Sequence, residues 1–463
     1  MYPVIDADYQ IRGTSATPYL VSCKENKTIP LEDMLLVELL KNCTGTVSLN
    51  NLAKRLKIAT EDLKSFLGQF QNVGVIKLLA SPQAREVVVS LANSKPWLKE
   101  VHLDVTGKCN LAKYCKHCFR GKMLNTYTDR SLEEWLEVVE KLSAFGVYCI
   151  TISGGEPFLR KDLYTIIKKI LAEGMLLNAI FTNGTILNDK VRRVVNLLVG
   201  AGIHNSYYIS LDGPTAEIHD LNRGKGSFCK TMEFIAWLLR VKQETNAPFE
   251  VVVNSQVNIY TYKLLTPWFK MLQNLGVSRW RLTSGRVTGN LLINSHLVPP
   301  YNQLFEEYRS FIDFYLQEYR EGRITTKINL ESFFTSRMLD EKKALTFDES
   351  IPICDYKENA CSIEPNGDVQ FCTSWGGKSF GNVFEQNIKE IWTGAELQML
   401  KQFKIGNISS CKGCELLCFC GGGCRLVAKD LYSKDEYSCL KYKLFASRIL
   451  PLLRDEGIKF ATK

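Results

Sequence analysis

The chain has 463 residues, 45% hydrophobic and 23% charged, too long for one hydrophobic core and without any apolar run near the roughly 18 residues a membrane span needs. Its formal charge is +9, from 58 Lys and Arg against 49 Asp and Glu, yet residues 1–90 hold ten basic against nine acidic residues, which is not the footprint of a nucleic-acid-binding module. The opening MYPVIDADYQ has neither the basic nor the apolar region of a signal peptide, so a cytoplasmic location is expected.

Residues 1–95 begin with short extended pieces (YQIRGT, PYLVSC), then give helical spacing over 31–42, 48–56 and 60–73 and a strand over 75–79. Ser48 suits an N-cap, and Leu49, Leu52 and Leu56 fall on one helix face. This predicts a winged-helix-like unit. Over 96–300 the pattern changes to short β-runs starting near Val101, Val147, Leu176, Ser206, Phe249 and Arg279, alternating with amphipathic helices. Ser131 and Glu134 form a capping box that opens one of these helices, and Gly146 stops it. Six such repeats predict an α/β fold, a partial (β/α)6 barrel of the TIM type, with chemistry on loops after the strands. Residues 301–349 are expected to be a helical linker. Residues 350–463 are cysteine-rich and glycine-punctuated, and metal rather than a large apolar core is expected to hold them together.

Sixteen cysteines in a reducing compartment point to metal or catalytic use. Three lie between Cys109 and Cys118, nine between Cys354 and Cys439, and Cys23, Cys43, Cys149 and Cys229 are scattered singly, as small buried hydrophobes would be. Cys109, Cys115 and Cys118 follow the first barrel strand. Three thiolates can hold three irons of a cubane cluster and leave the fourth open, although a zinc site with one further ligand fits the spacing equally well. The next strand runs into Ser153-Gly154-Gly155-Glu156-Pro157, whose glycines allow close backbone approach and whose carbonyls can accept from an ammonium group. The fourth runs into Ser210-Leu211-Asp212-Gly213-Pro214, followed by His219-Asp220 and Arg223-Gly224; Arg223 can pair with a carboxylate and Ser210 can donate to one.

The triad, the GGEP turn and SLDGP with its downstream HD and RG, in this order, resemble the radical S-adenosylmethionine (SAM) superfamily. The resemblance implies that the open iron of a 4Fe-4S cluster chelates the amino and carboxylate groups of SAM, that the turn Gly154, Gly155, Glu156 and Pro157 holds the amino group, that His117 lies beside the adenine, and that Ser210 and Arg223 contact the carboxylate. The first cysteine gap is five residues here, where the family has three, and Ala112, Lys113 and Tyr114 lie in the lengthened loop.

The later set, Cys354, Cys372, Cys411-x2-Cys414-x5-Cys420-x3-Cys424 and Cys439, with Pro365-Asn366-Gly367-Asp368 before Cys372 and Gly381-Asn382-Val383 after it, resembles the SPASM extension of radical SAM enzymes. That resemblance implies two auxiliary 4Fe-4S clusters, the first on Cys354, Cys361, Cys372 and Cys424 and the second on Cys411, Cys414, Cys420 and Cys439. Cys418 is left over. Without Cys361 the first would have a site open to a substrate thiolate. Three clusters on eleven thiolates would remove roughly five of the positive charges.

The N-terminal pattern resembles the PqqD-like recognition element of peptide-modifying enzymes, which pairs a leader peptide with its sheet edge. Together the three regions resemble a maturase of ribosomally made peptides, and thioether formation between a cysteine sulfur and a carbon of another residue is the favoured reaction. A 5'-deoxyadenosyl radical would remove one hydrogen, an auxiliary cluster is a sensible acceptor for the second electron, and a flavodoxin- or ferredoxin-like donor is implied. Alternatives are carbon–carbon crosslinking, formylglycine-type oxidation and, from another class, a zinc-containing DNA-binding regulator.

Overall fold

The structure is a computed structural model that describes residues 1–22, 24–32, 34–92, 97–331, 333–341, 350, 352–354, 358–373 and 379–458; Cys23 and the side chain of Cys418 lie outside what is described. At the N-terminus stand β1 (Tyr2–Ile5), β2 (Tyr9–Thr14), β3 (Pro18–Ser22), β4 (Lys27–Pro30), α1 (Met34–Lys41), α2 (Leu49–Leu56), α3 (Thr60–Asn72), β5 (Ile76–Leu79) and β6 (Val89–Ala92). Ser48 caps α2 by accepting from the Asn51 N–H at 3.3 Å. β1 and β5 pair antiparallel, and the other strands form a sheet in the order β4-β3-β2-β6. Ile11, Leu20, Val37, Leu40, Leu52 and Leu67 make a core of their own for this unit.

This unit docks on the N-terminal end of the barrel strands. Gln10 donates to the Gly174 carbonyl at 3.1 Å, the His204 N–H donates to the Lys24 carbonyl at 2.7 Å, and Trp97 stacks between Tyr19 and Tyr148 at 5.7 and 5.9 Å. It therefore sits at the opposite end from the loops that carry Cys109–Cys118.

The barrel strands are β7 (Glu100–Asp104), β8 (Cys149–Ser153), β9 (Leu176–Thr182), β10 (Ser206–Ser210), β11 (Glu250–Val257) and β12 (Arg279–Ser284), and the helices among them are α4 (Leu132–Ala144), α5 (Leu163–Ala172), α6 (Asp189–Gly200), α7 (Ala216–Arg223), α8 (Ser227–Thr245) and α9 (Leu265–Leu275). All six strands are parallel, in the order β12-β11-β10-β9-β8-β7. Both halves of the Ser131/Glu134 capping box are present at α4. The period of two along each strand sorts side chains by face: Val101, Leu103, Ile150, Ile152, Val253, Trp280 and Leu282 are buried in the main core, whereas His102, Ser153, Ser210, Asn254, Arg281 and Thr283 line the lumen.

Three expectations are corrected. Residues 301–349 are more than a helical linker: after α10 (Tyr301–Arg320) comes β13 (Lys327–Leu330), which joins the barrel sheet parallel to β12, followed by β14 (Phe334–Thr335). Nor does the C-terminal region lack an apolar core. Its hairpin β15 (Ala360–Ile363) and β16 (Val369–Gln370) extends the sheet at the other edge, β15 parallel to β7. Ile363, Val369, Val383, Ile391, Trp392 and Phe445 then pack into the barrel's own core. Short apolar stretches hide such a core from sequence reading because each contributes only a residue or two. No described helix is long and apolar enough to cross a membrane. Of the scattered cysteines Cys43 and Cys149 are buried, but Cys229 is exposed, contrary to expectation.

Candidate active site

The triad loop is held by polar contacts. The Cys109 N–H donates to Asn125 Oδ1 at 2.8 Å, and Asn125, itself left-handed at φ 62°, donates back to the Cys109 carbonyl at 3.3 Å. The lengthened gap forms a turn in which the N–H groups of Tyr114 and Cys115 both reach the Leu111 carbonyl at 2.9 Å. Tyr114 then lies against Gly224 at the end of α7, where an added Cβ would come 2.9 Å from the Tyr114 side chain. From the other side Asn290 donates to the Cys115 carbonyl at 2.9 Å and Asn294 to the Lys116 carbonyl at 3.1 Å.

The Ser153–Pro157 turn is laced to the same loop. The Gly155 N–H donates to the Thr106 carbonyl and the Glu156 N–H to the Lys108 carbonyl, both at 2.8 Å. A Cβ on Gly155 would come 2.3 Å from the Lys108 carbonyl oxygen, and one on Gly154, at φ 143°, 2.5 Å from that of Thr106. Gly154 and Gly155 line the cavity. Glu156 turns away from it and is fully buried, accepting from Asn183 N–H at 2.7 Å, Thr182 Oγ1 at 2.9 Å and Phe158 N–H at 3.1 Å. Burial pushes its carboxyl up to about 7 despite these donors. Its structural part is to join the ends of β8 and β9, with Pro157 buried behind it.

Arg223 and His117 are engaged with protein. Arg223 pairs through Nε with Asp212 and stands 3.2 Å through Nη2 from His117 Nε2, which is 3.3 Å from Asp212 Oδ2. Burial lowers His117 to about 4, leaving the ring neutral. Burial alone would raise the Asp212 carboxyl, but Arg223, His117 and His219 hold it down at about 2. One cavity of about 520 Å³ is lined by Cys109, Cys115, Cys118, His117, Gly154, Gly155, Ser210, Asp212 and Arg223. Three thiols opening on one cavity, beside glycines with no room for a side chain, fit a cluster on three thiolates with a small chelating ligand against it.

A buried ion pair links this loop to the C-terminal region. Arg120, two residues after Cys118, pairs with Asp104 at the end of β7 and at 2.6 Å with Glu364 just beyond β15, to which Tyr127 also donates at 3.3 Å. Burial raises the Asp104 carboxyl to about 6 against the pull of Arg120. Cys361 is fully buried on β15, in register with Val101. Cys372 lies two residues beyond β16 and packs, partly buried, against the main core. Cys354 packs partly buried against the same core. Cys424 receives an N–H of Arg286, a cavity residue, at 3.2 Å, and its own N–H donates to Asp435 at 3.0 Å. Cys411, Cys414, Cys420 and Cys439 cluster closely enough for the first, second and fourth to act on the Cys420 thiol, which burial pushes up to about 12.

The radical SAM superfamily model matches residues 103–254, and the SPASM iron–sulfur cluster-binding domain model matches residues 354–415. The chain is a radical SAM enzyme with a SPASM domain. That sets the zinc-containing regulator aside. This radical SAM chain is 28% identical over 355 residues to the AdoMet-dependent heme synthase of Oleidesulfovibrio alaskensis, covering 73% of this chain and 84% of that one. It is 26% identical over 325 residues to the mycofactocin maturase MftC of Mycolicibacterium smegmatis, covering 69% and 76%. Among solved structures, Streptococcus suis SuiB bound to its precursor peptide SuiA superposes with a TM-score of 0.65 at 15% identity, over 94% of this chain and 99% of that one. Native anSMEcpe with AdoMet and a peptide gives 0.59 at 19%, over 78% and 99%. Both structural likenesses are of fold.

Asn125, Asn290, Asn294, Arg120, Asp212 and Glu364 escape a reading of the sequence as site residues. Asp212 lies inside SLDGP and was within reach. The others sit in no local pattern, because each acts on a loop distant in the chain.

Proposed function

We propose that this enzyme is a maturase that installs a thioether, a sulfur-to-carbon crosslink, in a ribosomally synthesised precursor peptide. The observation that carries this is the union, in one chain, of the cavity beneath Cys109, Cys115 and Cys118 with an N-terminal unit whose sheet ends in β4. β4 pairs only with β3 among the described residues, and such an edge offers its backbone to an added strand. SuiB, solved with a precursor peptide, and MftC, a maturase by name, support a peptide substrate. In this view residues 1–95 bind the leader, 96–300 hold the reacting groups, 301–349 bridge, and 350–463 carry the auxiliary centres.

Cys109, Cys115 and Cys118 would hold the catalytic 4Fe-4S cluster. Cys354, Cys361, Cys372 and Cys424 would hold one auxiliary cluster, and Cys411, Cys414, Cys420 and Cys439 the other. SAM bound at the first cluster supplies, on reductive cleavage, a radical able to take hydrogen from an unactivated carbon. The chain's own residues position it: carbonyls of the Ser153–Pro157 turn accept from the ammonium, Ser210 donates to the carboxylate, Arg223 adds positive charge while Asp212 fixes its fork, and neutral His117 lies beside the adenine. A flavodoxin- or ferredoxin-like protein in the cytoplasm would donate electrons.

A haem-type substrate is the second reading, favoured by identity to heme synthases over 73% of the chain. Anaerobic co-expression with a candidate short precursor peptide separates them. The expected product has lost two hydrogens per crosslink, with fragmentation placing a sulfur–carbon bond. A carbon–carbon bond or a formylglycine would replace the thioether within the peptide class, and an unchanged precursor alongside 5'-deoxyadenosine formation counts against the whole class.

A further inference from the structure

The far wall of the lumen, across β10 to β13, carries polar side chains of which only Ser210 has a part in the proposed SAM contacts. One level of its register holds Ser210, Asn254, Arg281 and Asn329, and the next level holds Gln256 and Thr283. Asn254, Gln256, Arg281 and Thr283 all line the cavity. Arg281 is half-buried, and among the described residues nothing accepts a hydrogen bond from it or balances its charge. Its neighbours differ: Arg223 is held by Asp212, Arg120 by Asp104 and Glu364, and Arg279 by Glu250. A guanidinium withdrawn from bulk water costs free energy unless an anion meets it. Around it Asn254 Oδ1, Gln256 Oε1 and Asn329 Oδ1 are buried acceptors that receive no hydrogen bond from the described residues. An unpaired forked donor beside unpaired acceptors is complementary to a group presenting a carboxylate and N–H donors together.

We infer that Arg281, with Asn254 and Gln256, binds an aspartate or glutamate of the substrate, the carboxylate on the guanidinium and backbone N–H groups on the two amide oxygens. This rests on the peptide reading and deepens it. The carboxylate of SAM shares the chemistry, but Arg223 is the cation beside His117, the residue before Cys118, and Arg281 stands on β12, two strands beyond Ser210 on β10. The subsite therefore selects which residue of the precursor is presented for hydrogen removal.

The test uses reconstituted, SAM-loaded enzyme with Arg281→Gln and Arg281→Lys. Saturation-transfer NMR with N-acetyl-aspartyl amide and N-acetyl-asparaginyl amide should show the wild type binding the acid in preference, with Arg281→Gln about 10- to 100-fold weaker and Arg281→Lys partly restored. SAM affinity by equilibrium dialysis and peptide-free 5'-deoxyadenosine formation should stay within about twofold in both variants, since Arg281 holds no described residue in place. Loss of SAM affinity in Arg281→Gln would assign the site to SAM and overturn the inference, as would equal binding of the acid and the amide by the wild type. Preference for the acid by an enzyme that modifies no precursor would instead overturn the maturase reading and leave the carboxylate subsite standing.

Discussion

The loop of Cys109, Cys115 and Cys118 and the region of Cys354 to Cys439 both gather thiols, but they are held by opposite means. The first is braced by amide side chains and by backbone laced to a glycine turn. Its contacts are mainly polar and serve a local shape. The second is anchored by Cys361, Ile363, Trp392 and Phe445 inside the barrel's own core. Loss of a thiol at the first region should therefore remove the chemistry with little change in stability, whereas loss of a buried contact at the second should cost stability.

The largest expected effect is at the triad. Alanine at Cys109, Cys115 or Cys118 should abolish SAM cleavage, a loss beyond about 10³-fold, and remove about four irons per chain, while the melting temperature moves by only about 2 °C. A collapse of the melting transition there would break the contrast. At the other region Glu364→Ala leaves Arg120 neutralised by Asp104 but takes a hydrogen-bond acceptor from both Arg120 and Tyr127, and a loss of about 1–3 kcal/mol is expected in denaturant unfolding. Glu156 sharpens the same point through pH. Its carboxyl is raised by burial from 4.5 to about 7, so the folded state binds the proton more tightly, and stability is full below about 4.5 and falls as pH rises through about 7. The fall is on the order of 3 kcal/mol, and Glu156→Gln should flatten it in thermal melts from pH 5 to 8. Gly155→Ala drives a Cβ into the Lys108 carbonyl and should cost about 1–3 kcal/mol together with iron content. Smallest, Ser131→Ala removes the α4 cap and should cost about 1 kcal/mol with SAM cleavage unchanged.

Much of this was legible in the chain. The six strand starts, the Ser48 and Ser131 caps and the turn residues are local: period-two runs and helix caps are decided by neighbouring residues. The thiol triad and its glycine turn were legible for the same reason, each being a short motif at a strand end. The shared core of the C-terminal region was not, because Trp392 and Phe445 lie in short segments that become a core only when the β15–β16 hairpin joins β7. The Arg120–Glu364 pair spans most of the chain and left no local trace.

By itself, then, the sequence determined the order of the six barrel strands and their helices, the thiol inventory and the family, since these follow from residue type and spacing. Tertiary structure decided that Arg223 meets Asp212 and His117, that Glu156 faces inward, and that Arg281 stands in the lumen without an anion among the described residues. Whether a charge is paired depends on which strands are neighbours and at what register. Spacing along the chain does not contain that information.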